Sequence, residues 1–151
     1  MREIKGRMDA SGKRFVVIVS RWNELVTSAL LSGALDELAR HGEPEVEVIH
    51  VPGAWEIPAA ASAAIEKKPP SAILALGCIL QGETPHAGNL AAEVGSALMR
   101  MQVEKHLPIA WGILTPDSVE QALDRAGLKH GNKGREAALA AIEMADLLGR
   151  L

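Results

Sequence analysis

The chain has no tyrosine, one phenylalanine, one cysteine and three tryptophans among 151 residues. A lone cysteine, Cys78, cannot close an internal disulfide, and without a second thiol it offers no zinc pair. The five histidines, at 41, 50, 86, 106 and 130, lack ligand spacing, so no metal is expected. Lysine and arginine never form a dense run and the net charge is −3, which excludes the concentrated basic surface that nucleic acid requires. The longest uncharged stretch, positions 69 to 82, is 14 residues long and opens on Pro69-Pro70, too short to span a membrane. The opening Met1-Arg2-Glu3-Ile4-Lys5 has no apolar signal core, which predicts a cytoplasmic location. A Walker loop, a Gly-x-Gly-x-x-Gly turn and a Gly-x-Ser-x-Gly elbow are all missing, removing the usual support for nucleoside-triphosphate and serine-hydrolase chemistry. The expected partner is a small molecule.

What is present is a repeating alternation. With 48% apolar and 23% charged residues, the length suits one domain over 1–151, with residues 1–13 an N-terminal segment that is flexible or touches another subunit. Phe15–Ser20, Val46–Val51, Ala72–Gly77 and Ile109–Leu114 read as continuous apolar runs, the habit of parallel strands covered on both faces. Between them lie helical patterns. Glu24–His41 has Asn23 as its expected N-cap and Gly42 as its stop; an alanine-rich helix begins near Pro58; a third runs from about Gly88 to His106. Asp117 and Glu120 stand at capping-box spacing for a helix reaching Arg125-Ala126, and the last helix covers roughly Asn132–Leu148. The expected fold is α/β: a flavodoxin-like three-layer sandwich, a four-stranded parallel sheet with helices on both faces.

In such sheets ligands bind beyond the carboxyl ends of the strands, and the rare residues collect there. Residues 77–86, Gly-Cys-Ile-Leu-Gln-Gly-Glu-Thr-Pro-His, leave the third strand through a glycine-bearing turn, with Thr84 and His86 near a helix start. A hydroxyl, free backbone N–H groups and a helix's positive end suit an anion, beside a titratable imidazole; the same residues would also make a plain turn with a solvated histidine. Trp22 follows the first strand and Trp55 the second, both in polar loops where a flat heterocycle could stack, whereas mid-strand Trp111 fits a core anchor. Glu56 either binds a ligand or favours a helix N-terminus. Arg125 suits a helix C-terminus, but Lys133 at the start of the last helix is a cation at the wrong end, and calls for an anionic ligand or a carboxylate partner, Asp124 or Glu136.

Five segments, Arg21-Trp22-Asn23, Val51-Pro52-Gly53-Ala54-Trp55-Glu56-Ile57-Pro58, Gly82-Glu83-Thr84-Pro85-His86, Glu120 through Gly127 and Gly131-Asn132-Lys133-Gly134, together resemble the 6,7-dimethyl-8-ribityllumazine synthase family over about residues 14–148. That resemblance implies condensation of 5-amino-6-(D-ribitylamino)uracil with 3,4-dihydroxy-2-butanone 4-phosphate, the penultimate step of riboflavin synthesis, with no cofactor. It implies that Trp22 and Asn23 meet the uracil ring, that Ala54, Trp55, Glu56, Cys78, Ile79 and Leu80 line the pyrimidine and ribityl sites, and that Glu83 and Thr84 meet the phosphate with Arg125 as its clamp. His86 would move protons, with Lys133 beside it. It further implies a homo-oligomer, a pentamer or a pentamer-based capsid, in which Trp111, Arg125 and Lys133 serve the neighbouring subunit's pocket, and riboflavin synthase as a further partner.

The chain departs from the commoner family pattern in places. Trp22 replaces a phenylalanine, Glu83 replaces a small residue next to the phosphate, and Ala87-Gly88-Asn89 replaces an aromatic-acidic-aromatic run. Two other readings start from the same residues: a non-catalytic riboflavin or lumazine binder, against which His86, Arg125 and Lys133 speak, and a shell-forming homologue.

Overall fold

Residues 15–19, Phe-Val-Val-Ile-Val, are β-branched or aromatic throughout, and such side chains pack best on a pleated surface covered from both sides. In the computed structural model, which describes residues 1–82 and 86–151, they form the centre of β1 (Arg14–Ser20). The other strands are β2 (Glu45–Val51), β3 (Ala72–Cys78) and β4 (Ile109–Leu114), all parallel, in the order β2-β1-β3-β4. Ile18 sits in register between Ile49 and Ala75. The α/β class and the parallel four-stranded sheet expected from the sequence are observed.

The two sheet faces carry separate helix layers. Phe15, Val17, Val19, Leu74 and Leu76 pack with α1 (Glu24–Arg40) and α5 (Lys133–Arg150); Val16, Ile18, Ile73, Ala75 and Ile113 pack with α2 (Ile57–Lys67) and α3 (His86–Lys105). Successive residues of one strand thus serve opposite cores, and each fully buried Leu or Ile, such as Leu74 and Ile73, contributes about 1.5–3 kcal/mol. In α1, Val26, Leu30, Ala34 and Leu38 recur every four residues and all are buried. α5 approaches closely because its inner face is Gly134, Ala137, Ala138 and Ala141; a Cβ on Gly134 would overlap the Leu30 carbonyl. Residues 6–13 lie along this layer. Arg7 N–H donates to the Asp146 carboxylate at 2.8 Å, and Ala10 N–H to the His41 carbonyl at 2.7 Å. Hydrogen bonds from Arg150 and from that Arg7 N–H hold the Asp146 carboxyl below its ordinary range.

Four sequence expectations need correction. β2 is not continuously buried: its glutamates and His50 are exposed, because it is an edge strand with a neighbour on one side only. Asn23 precedes α1 but makes no side-chain cap; its backbone is left-handed (φ 64°) and its Nδ2 donates instead to the Cys78 carbonyl at 3.2 Å. The cap of α4 (Val119–Asp124) is Ser118, not Asp117: Ser118 Oγ accepts from Gln121 N–H at 3.1 Å while Gln121 Oε1 accepts from Asp117 N–H at 2.9 Å, a box shifted by one residue from Glu120. The third helix also starts earlier than expected, at His86. Among the described residues no helix is long and apolar enough to cross a membrane.

Candidate active site

The exits of β1, β2 and β3 are stitched to one another. Trp22 N–H donates to the Pro52 carbonyl at 2.9 Å, and the Asn23 amide ties the first loop to the end of β3. Gly53 lies directly under the indole of Trp22, where a Cβ would overlap the six-membered ring. The loop then closes on itself, Gly53 N–H donating to Glu56 Oε2 at 3.0 Å before a single 3-10 turn, Ala54–Glu56, leads into α2. One oxygen of Glu56 therefore shapes the loop. Ala54, Ile79 and Ala87 share one buried cluster, so the 54–56 loop, the end of β3 and the first turn of α3 form one wall, with the exposed His86 as the first residue of α3. Trp22 is 63% exposed, an unusual state for so large an apolar ring beside a buried strand end. Glu83 and Thr84, the expected phosphate contacts, lie outside the described residues.

Trp55 is also exposed, but it lines a cavity of about 340 Å³ with Pro58, Ala59, Glu93, Val94 and Ala97, between α2 and α3. Cys78 has its thiol buried in the core shared with α1 and α5, and burial pushes that thiol up to about 11. It is neutral at pH 7 and no nucleophile; its carbonyl, which accepts from Asn23, is the part that shapes the loops. Leu80 is half-buried against the same core.

A second site lies at the sheet's other edge. Trp111, Thr115, Arg125, Lys133, Asp124 and Glu136 are among the residues around a cavity of about 620 Å³ beside β4. Trp111 is not the core anchor that its mid-strand position suggested: β4 is an edge strand, the indole lies over Gly95 of α3, where an added Cβ would meet it at 3.7 Å, and 36% of the residue is exposed. The carboxylate partner expected for Lys133 is not observed. Among the described residues neither Lys133 nor Arg125 forms an ion pair, and Asp124 instead stands 3.8 Å from His130 Nδ1. Two cations thus line one cavity beside Asp124 and Glu136 but, among the described residues, in direct ion pairs with neither, which leaves both free to meet an anionic ligand.

The two groups do not merge within one chain: the lining of the 620 Å³ cavity includes neither His86 nor Trp22 nor residues 54–56. Sequence reasoning missed the support beneath them, namely Gly53 under Trp22 and Asn132 between α4 and α5. The sequence carried Gly53 and Asn132 within the loop segments at strand and helix ends, but their contacts are set by residues distant in the chain.

Comparison with known proteins bears on the chain as a whole. The family model of 6,7-dimethyl-8-ribityllumazine synthase matches residues 12–149. The 6,7-dimethyl-8-ribityllumazine synthase of Aquifex aeolicus (strain VF5) is 44% identical over 153 aligned positions, covering 100% of this chain and 99% of the relative.

Proposed function

This chain belongs to the 6,7-dimethyl-8-ribityllumazine synthase family and is a lumazine synthase of riboflavin biosynthesis, and we propose that its active centre is assembled from the His86 wall of one copy and the Arg125–Lys133 cavity of another. The observation that carries this reading is the split: an aromatic, imidazole-bearing wall and a cavity in which Arg125 and Lys133 make no direct ion pair among the described residues, with no shared lining. A homo-oligomer, pentameric as in the family resemblance, brings them together, and the cytoplasm is the location such an enzyme implies.

In this reading 5-amino-6-(D-ribitylamino)uracil stacks on Trp22 and 3,4-dihydroxy-2-butanone 4-phosphate sets its phosphate against Arg125 and Lys133. The uracil's 5-amino group attacks the ketone carbon, and the carbinolamine loses water to give an imine. His86 accepts the proton that the attacking nitrogen sheds and returns it to the departing hydroxyl. Phosphate elimination follows, its charge met by the guanidinium, and ring closure with loss of a second water gives the lumazine. Holding two substrates in register removes much of the entropic barrier, with about 7–11 kcal/mol available in the best intramolecular cases. Mixing the purified chain with both substrates and following the lumazine chromophore tests the activity; no chromophore would refute it.

The contact between Gly53 and Trp22 has its own consequence. Gly53→Ala should tilt the indole away, raising KM for the uracil substrate about tenfold while the phosphate substrate is little affected, since removing well-placed stacking costs about 1–1.5 kcal/mol. In a background with Trp55 and Trp111 replaced by phenylalanine, quenching of the remaining indole by the uracil substrate should weaken in parallel. Unchanged quenching would contradict the stacking role.

A further inference from the structure

Resting on the reading of Arg125 and Lys133 as the phosphate clamp, we propose that Asn132 is the positioning residue that fixes the two cations relative to each other. Its side chain uses its whole hydrogen-bonding capacity. Oδ1 accepts from Gly134 N–H at 2.8 Å and Arg135 N–H at 3.2 Å, capping α5; Nδ2 donates to the Ala29 carbonyl at 3.0 Å and the Ala126 carbonyl at 3.2 Å. Only one orientation of the amide satisfies all four, because two N–H groups face one end and two carbonyls the other.

The consequence lies in the main chain. Arg125 is the C-cap of α4 and Lys133 begins α5, and the seven residues between them, 126–132, are drawn into a closed loop by the bridge between Ala126 and Asn132. Lys133 N–H then donates to the Arg125 carbonyl at 2.9 Å, so the two cation-bearing residues are joined directly. Arg125 itself is exposed, and nothing else among the described residues pairs with its side chain. The Asn132 amide anchors this loop to α1 through Ala29, a residue 103 positions away, and to the end of α4 through Ala126. A helix cap needs only an acceptor, which serine or aspartate supplies as well as asparagine. The two donated bonds are the part that only an amide at this position makes, and they hold the clamp rather than the helix.

That division makes the test. Asn132→Ser and Asn132→Asp keep the cap and lose both donations. Both should raise KM for 3,4-dihydroxy-2-butanone 4-phosphate about tenfold and weaken competitive inhibition by inorganic phosphate to the same degree, with kcat and KM for the uracil substrate near those of the parent. The KM-against-kcat split separates positioning from mere structural support, which would lower the active fraction and leave both KM values alone. Unchanged phosphate affinity in a folded variant overturns the proposal, as does loss of the folded assembly in both variants, which would make Asn132 a stability residue. Arg125→Ala, assayed beside them, separates two failures. If it weakens phosphate binding and the Asn132 variants do not, only the positioning role falls; if it too leaves phosphate binding unchanged, the clamp reading falls and this proposal with it.

Discussion

Replacing His86 with alanine is expected to lower kcat by about 10²- to 10⁴-fold while changing either KM little, the range over which a positioned acid-base group contributes. His86 is exposed at the first residue of α3, and alanine is the better helix former, so the variant should fold and any loss reports chemistry. Carbinolamine formation and its dehydration both need a proton moved between nitrogen and oxygen, and among the described residues of this wall the imidazole is the group whose two ring nitrogens can accept a proton and give one back. Glu56 has an oxygen committed to Gly53 N–H, and the Cys78 thiol is buried and pushed up to about 11. Stopped-flow and steady-state rates with both substrates would check this; a kcat within a factor of about three of the parent would remove His86 from the chemistry.

The second large effect concerns the phosphate. Arg125→Ala should raise KM for the phosphate substrate about 10- to 100-fold, since a charge-assisted hydrogen bond is worth about 1.5–3 kcal/mol and this guanidinium has no intramolecular partner among the described residues to compete for it. The uracil substrate should be little affected. Arg125→Lys should recover only part, because a point charge cannot make the paired, planar contact of a guanidinium with phosphate oxygens. Isothermal titration with the phosphate substrate, or inhibition by inorganic phosphate, reads this without turnover. Equal affinities in parent and Ala variant would disconnect Arg125 from the anion.

Much of the fold was legible because β1, β3 and β4 are apolar at nearly every position, so only a doubly covered parallel sheet could hide them. β2 was legible as a strand but not as an edge, since which strand has one neighbour is a property of the sheet order rather than of its own residues. The misread caps have a similar origin. Asn23 has the right chemistry for a cap, but the Cys78 carbonyl, 55 residues away, takes its amide; at Ser118 two neighbouring cap formers competed and the one whose hydroxyl reached Gln121 prevailed. Of the site, Trp22, Trp55 and Glu56 announced themselves by standing beyond strand ends, and Lys133 by being a cation at the start of a helix. Gly53 and Asn132 did not, because their value lies in what would collide with a Cβ or in carbonyls across the fold. Trp111 misled for the converse reason: a tryptophan amid apolar strand residues looks buried until the strand is known to be outermost.

The central claim is that one catalytic centre is divided between two copies of the chain, and subunit mixing tests it most directly. His86→Ala and Arg125→Ala proteins, each nearly inactive at limiting phosphate substrate, are dissociated together and reassembled, with native mass spectrometry confirming mixed assemblies. Activity well above either parent is the expected result, because some interfaces would then pair an intact imidazole with an intact guanidinium. Mixed assemblies no more active than their parents, or a chain that stays monomeric yet turns over both substrates, would contradict the account.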